Sequence, residues 1–451
     1  MAGGIFLSMN KVRPGAYLNF KSVPRPSMTV GDRGIATIAL ELNWGAEGQL
    51  IDVYSDELVG TASLPKVGFT SFDAESKLLN IMLQNCYQAK VYRLNKGGVK
   101  ASTTIGETNV LTVEAVYSGT FGNKITVSVV EEGSLFNVST FVNGSQKDSQ
   151  KVALIEELEA NDFVTFSGTG TPELNAGKLL TGGTNGTYEK ATVIPEYLEE
   201  LKLARWQTAC FPQLTDDDAT LKANIATFIE NQRDGEGRYV QGVIANYPQA
   251  NQEGIISVTQ GLVINGVEFT KEEMTACVAG LTAGANINES NTNKIVEGAT
   301  KILGQLDNAG IIEALNNGEL VFSTNQRGDI KIEKDINSYH TFTPDKNYEF
   351  SKNRVLRTLD EIGTSLKDVW EQTYMGKVDN NEKYRNLFKT DIDNYLKTLE
   401  GLGAIQEYVS SGGMDNITVK QGAELDIVVV ELYIKPVDSM EFLYATINVR
   451  V

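Results

Sequence analysis

Residues 440–451 read MEFLYATINVRV. At a period of two, Leu443, Ala445, Ile447, Val449 and Val451 fall on one face. Phe442, Tyr444, Thr446, Asn448 and Arg450 fall on the other. This alternation, with its β-branched and aromatic content, predicts a half-buried β-strand. The strand runs to the last residue given. Chain ends fray unless something holds them, and an unpaired strand edge is a template for a second chain. At roughly 3.3 Å per residue the stretch reaches about 40 Å, far enough to leave a parent domain. It is therefore expected to join one subunit to the next.

The rest of the chain has the means to build the parent. Its 451 residues suggest roughly two to four domains. With 41% hydrophobic and 22% charged residues it can bury ordinary globular cores. A net charge of −18 and no Lys/Arg-rich run argue against a nucleic-acid partner. No apolar run approaches the ~20 residues that cross a bilayer, so no direct membrane insertion is expected. The opening MAGGIFLSMNKVRPG lacks the pattern of a secretory signal. Cys86, Cys210 and Cys277 are widely spaced and odd in number. They suit a reducing cytoplasm and read as small buried side chains.

Taken in order, residues 1–25 form an arm interrupted by Gly15, Pro14 and Pro24, with Pro26 just beyond. Within it Ala16, Leu18 and Phe20 alternate with polar neighbours. This segment is either a second docking strand or the first strand of the parent's own sheet. Residues 26–98 read as mixed α/β, with strands at 35–40 and 89–94 and a helix within 71–88. From 99 to 188 the composition turns to Thr, Val, Ser and Gly, and Asn143-Gly144 marks a hairpin. A short helix is expected at 151–160. This is a β-rich insertion, sandwich- or barrel-like, in a larger α/β domain. Alternating helices and strands resume over 189–340, with helices at 194–203, 217–232, 271–283 and 292–303 and a hairpin at 319–333. In 341–438, Val355, Leu359, Ile362, Leu366 and Val369 mark one helix. A second helix stops at Gly401. Strands at 417–419 and 425–434 follow, and Pro436 precedes the linker strand 439–451.

Chemistry finds no footing. His340 is the sole histidine, so any His-dependent triad must use it. There is no GxSxG elbow, no HExxH or paired CxxC, and no complete phosphate or dinucleotide loop. Asp216-Asp-Asp218 lacks the glycine and later ligands of a calcium loop and reads as the acidic start of a helix. No catalytic residue, cofactor or metal is expected, and the chain is not read as an enzyme.

Several stretches nevertheless resemble a known family. Residues 117–126, YSGTFGNKIT, resemble a YxGTxGNxIxV-type signature of contractile-tail sheath proteins. Residues 278–284, VAGLTAG, followed by Ser290-Asn-Thr, are similar to its AGxxAG segment. Asp335-Ile-Asn-Ser, residues 352–360 (KNRVLRTLD), 376–380 (GKVDN) and 436–444 (PVDSMEFLY) resemble its C-terminal signatures. One departure is Asn-Ser at 337–338 where Asn-Thr is usual. The nearest likeness is to sheaths of phages and phage-tail-like particles of low-GC Gram-positive bacteria.

The resemblance implies a subtilisin-like α/β core without catalytic residues, the β-rich insertion facing outward, and an α+β C-terminal domain with strand-exchange arms. It implies a subunit of stacked hexameric rings around a tail tube, metastable when extended, contracting to drive the tube through a cell envelope. Its partners would be itself, the tube protein, and baseplate and terminator proteins. Its place would be a virion tail or tail-like particle, assembled in the bacterial cytoplasm and released on lysis. The implied intersubunit residues are Ala16, Leu18, Phe20, Phe442, Leu443, Tyr444, Ile447, Val449 and Val451. The implied hinges are Gly15, Pro24, Pro26 and Pro436. The alternatives are the sheath of a headless bacteriocin, a subtilisin-like hydrolase, or a tube or other ring protein.

Overall fold

The computed structural model describes residues 33–449, together with Met28 and the backbone of 2–4 and 15–17. The fold is mixed α/β with several sheets, divided into two compact units. The larger holds residues 31–364, 402–406 and 435–451. The smaller holds 365–401 and 407–434, with 1–30.

The larger unit is built on a seven-stranded sheet. Its strands are β1 (Ile35–Leu40), β2 (Leu50–Tyr54), β3 (Gln88–Arg93), β4 (Thr208–Cys210), β5 (Gln241–Ala245), β6 (Ile255–Val258) and β7 (Glu319–Leu320). They lie in the order 2-3-1-4-5-6-7. All pairs are parallel except β2 with β3. A parallel sheet needs cover on both faces, and the strand sequences supply apolar side chains to both. From β1, Ala36, Ile38 and Leu40 enter one core with the helices Lys77–Leu83 and Lys271–Gly284. Ile35 and Ala39 enter the other, with Lys190–Leu203 and Ala219–Glu230.

The 278–284 segment now has a physical meaning. A Cβ on Gly280 would stand 2.3 Å from the Met82 carbonyl oxygen, and one on Gly284 1.8 Å from that of Asn85. Two glycines one turn apart let the helix Lys271–Gly284 lie directly on the end of Lys77–Leu83.

The β-rich insertion is two sheets around one core that includes Trp44, Val113, Phe121, Val127 and Val138. One sheet orders Ser145–Val152, Leu135–Val142, Ile125–Glu132 and Asn175–Leu179. The other orders Val164–Ser167, Leu111–Ser118 and Lys100–Ile105. Asn143 (φ 48°) and Gly144 (φ 76°) make the expected tight turn. The base of the insertion is stapled by Arg93, which is fully buried. It donates to the carbonyls of Gly45 (2.8 Å), Ser118 (2.9 Å) and Asn185 (3.0 Å).

The smaller unit pairs the helix Glu382–Gly401 with a hairpin, Ile417–Gln421 against Val428–Leu432. Buried Asp393 accepts from Tyr408 (2.9 Å) and Lys397 (2.8 Å) inside it.

Three expectations yield to tertiary pairing. The helix expected at 151–160 is the end of strand Ser145–Val152 and a 3-10 turn, Ile155–Glu157. There Lys151 and Val152 pair with Asn137 and Phe136 across the hairpin. The helix expected at 292–303 is in part a strand, Ala299–Leu303, paired with Gly261–Ile264 after a left-handed Gly298. The hairpin of 319–333 is split: Glu319–Leu320 joins the central sheet, and only Phe322–Thr324 pairs with Ile330–Ile332.

Candidate assembly site

Four stretches singled out in the sequence meet at one buried polar cluster. The carboxylate of Asp335, 1% exposed, accepts from the backbone N–H of Asn291 at 2.9 Å. It also accepts from Asn353 Nδ2 at 3.0 Å and from Arg357 Nη2 at 2.7 Å. Asn353 and Arg357 lie one turn apart on the helix Asn353–Val369, so one face carries both. Thr292 Oγ1 accepts from the Asp335 N–H at 2.9 Å and donates to Glu441 Oε1 at 2.8 Å. Lys352, just before that helix and 1% exposed, pairs with Glu441 and lies 3.3 Å from Asp438. A turn further along, Asp360 takes a two-pronged pair from Arg233 at 2.9 and 2.7 Å.

Such charges are costly to bury unless paired and hydrogen-bonded. For Asp335, burial pushes the pKa up, but Arg357 and the N–H donors outweigh it and hold the carboxyl below its usual value. For Lys352, burial pushes the pKa down, but Glu441 and Asp438 outweigh it and raise the ammonium above its usual value. Both groups are held charged.

This cluster is the root of the C-terminal segment. Gln406 N–H donates to the Lys435 carbonyl and Val437 N–H to that of Ala404, each at 2.9 Å. Pro436 is thus bridged to Ile405 and held on both sides. The Glu441 side chain is 8% exposed. Beyond it everything changes: residues 442–449 are all exposed, Leu443 at 90% and Tyr444 at 92%. The expected terminal strand is not formed in the chain, because no strand is assigned over the described residues 437–449. A strand needs a second backbone to pair with.

The site residues named from sequence therefore fare differently. Phe442, Leu443, Tyr444, Ile447 and Val449 stand together on one exposed segment. Only the Phe442 ring has a cation over it, Lys334 Nζ at 5.7 Å. Pro436 is fastened, so the exposed segment begins past Glu441. Gly15 and Ala16 lie in a short strand, Gly15–Tyr17, parallel to Ala2–Gly4. Leu18, Phe20, Pro24, Pro26 and Val451 fall outside the described residues. Lys352, Asp438 and Glu441 escaped the sequence reading. Their one signal is that each sits in a family-like stretch.

His340 Nδ1 lies 2.8 Å from the carbonyl of Ser338. All three cysteines are buried, and burial pushes the Cys86 and Cys277 thiols up to about 12. Among the described residues no group of acidic, His and Cys side chains could hold a metal, and no helix is long and apolar enough to cross a membrane.

Three family models match the chain: the phage tail sheath protein beta-sandwich domain over residues 96–185, its central domain over 184–338, and the phage tail sheath C-terminal domain over 345–450. The phage-like element PBSX protein XkdK of Bacillus subtilis is 34% identical, with all of both chains covered. The crystal structure of a sheath tail protein from Desulfitobacterium hafniense is 37% identical, covering 94% of this chain and 97% of that one, with a TM-score of 0.78. A sheath tail protein from Listeria innocua is 30% identical, covering 92% and 94%, with a TM-score of 0.80.

Proposed function

Since the chain belongs to the phage tail sheath protein family, we propose that it is a strand-exchanging subunit of a contractile sheath. Copies stack as hexameric rings around a tail tube, between baseplate and terminator proteins. Extended, the sheath is metastable. On triggering it contracts and drives the tube through the target envelope. The observation that carries this reading is the exposed apolar segment 442–449 on a fastened root. Five large apolar side chains in water are a marked exception for one short segment, and a neighbour's sheet edge removes both the apolar exposure and the unpaired backbone.

This reading divides the chain into five functional parts: arm 1–25, α/β core 26–98 with 189–340, outward β-rich domain 99–188, α+β domain 341–438 and linker 439–451. The strand order and two-sided helical cover support reading the core as a subtilisin-like scaffold without catalytic machinery. Each backbone hydrogen bond added by an arm contributes about 0.5–1.5 kcal/mol, and each large buried side chain about 1.5–3 kcal/mol. Joints of that strength persist while rigid domains rotate about them. Assembly takes place in the host cytoplasm, with release on lysis.

The test is truncation after Glu441, which keeps the root intact. Loss of ridged cylinders by electron microscopy, with an unchanged melting temperature of the subunit, is the expected result. Cylinders of normal length from the truncated chain would end the strand-exchange reading.

A further inference from the structure

Phe72 is 88% exposed, the most exposed large apolar side chain among the described residues before Met440. Its loop is nonetheless tied down. The Thr70 N–H and hydroxyl both donate to Asp73 Oδ2, at 2.7 and 2.9 Å. The Ser71 carbonyl accepts from Asn80 Nδ2 at 2.8 Å. The Ser71 N–H donates to the Leu58 carbonyl at 2.8 Å, which brings the backbone of Phe72 close to that of Val59, also exposed. Asp56, Asp73 and Glu75 stand exposed around them. The cations here are already engaged, Lys66 with Glu57 and Lys77 with Glu273, each at 2.6 Å. The result is a rigid knob with an aromatic tip and surplus negative charge, and a rigid anchor loses little freedom on docking.

Elsewhere on the same unit lies its inverse. A pocket of about 480 Å³ is lined by Leu315, Lys331, Lys334, Met440 and Phe442. Its two carboxylates are matched from inside: Glu333 lies 3.1 Å from Lys331, and Glu441 is held by Lys352 and Thr292. Lys334 is different. Its ammonium stands over the rings of Tyr348 (5.1 Å) and Phe442 (5.7 Å) and pairs with no carboxylate among the described residues. The pocket thus offers apolar walls and a spare positive charge. We propose that the Phe72 knob of one copy seats in this pocket of a second copy, with Asp56 and Glu75 set against Lys334. This rests on the sheath reading, in which copies pack on one another, and adds a contact between folded bodies to the joint made by the arms. An aromatic anchor in a pocket is a common form of interface hot spot, and the charges around it fix register and reject other apolar tips. Met440 and Phe442 stand where the exposed segment leaves the fold, so a seated knob also braces that point.

The experiment uses the full-length chain. Phe72→Ser removes the anchor, and Lys334→Glu reverses the spare charge. Each is expected to lower the fraction assembled into cylinders about tenfold or more. Subunit melting should not change, since neither side chain belongs to a core. Adding Asp56→Lys and Glu75→Lys to Lys334→Glu should restore assembly to within about twofold. In parallel, a benzophenone amino acid replaces Phe72 in assembled sheaths, and cross-linked peptides are sequenced. A dimer-sized product joined through residues 292–334 or 439–442 of another copy is expected. Cross-links to any other part of the chain, or to a different protein, overturn the proposal. So does normal assembly of Phe72→Ser or Lys334→Glu while truncation after Glu441 abolishes cylinders; strand exchange then survives and the knob contact does not. If the unaltered chain forms no cylinders, the sheath reading fails and this contact fails with it.

Discussion

Lys352 decides where the exposed segment begins. Replacing it by Met leaves Asp438 and Glu441 without their buried cation. Removing one partner of a buried pair costs about 3–5 kcal/mol. The expected outcome is early proteolysis within 435–441, read by mass spectrometry, and a lower denaturation midpoint. The same cluster sets a pH window. Asp335 is held below its unfolded pKa, so its contribution is present above about pH 4 and lost as pH falls through the depressed value. Lys352 is held above its unfolded pKa, so its contribution is present below about pH 10 and lost as pH rises through the raised value. Melting temperature against pH should fall at both ends, and Lys352→Met should flatten only the alkaline limb. Gly284→Ala tests a different constraint. Its Cβ would meet the Asn85 carbonyl at 1.8 Å, and overpacking of that kind costs about 1–3 kcal/mol. Thermal unfolding should show it.

At the scale of elements, the β-hairpin at Asn143-Gly144 is a tolerant point of the insertion. Both residues are exposed, and a Cβ on Gly144 meets nothing within 4 Å. Gly144→Val costs only the left-handed backbone strain, of order 1 kcal/mol. A tag inserted between the two should leave subunit melting unchanged. If the insertion faces outward as proposed, cylinders should also form with the tag visible on their outer surface by electron microscopy. The helix Asn353–Val369 acts quite differently. Its first turns carry Asn353, Arg357 and Asp360 into the buried cluster, so polar substitutions there unsettle the root rather than the surface.

For the whole molecule, Cys86, Cys210 and Cys277 all lie in the larger unit. Burial raises all three thiols, and the thiolate is the reactive form. A disulfide reagent should therefore label none in the native chain. Labelling should follow unfolding of the larger unit and ignore the smaller, which carries its own core around Phe388, Tyr395, Leu396 and Leu399.

The sequence by itself determined the elements whose signal is local. The Asn143-Gly144 turn, the apolar strands of the central sheet and the amphipathic helix ending at Val369 are periodicity and backbone preference, and these act within a few residues. It also determined the apolar face of 442–449. Pairing was decided only in three dimensions. The segment 151–160 became strand and turn: Lys151 and Val152 pair with Asn137 and Phe136, and Glu157 turns back to accept from the Ala153 N–H, which together outweigh helix propensity. Likewise Lys352, Asp438 and Glu441 are ordinary surface types in sequence, and the fold alone brings them to one place. The tertiary structure decided that no strand forms over the described residues 442–449. A strand is a relation between two paired backbone segments, and no described segment of the fold pairs with these residues.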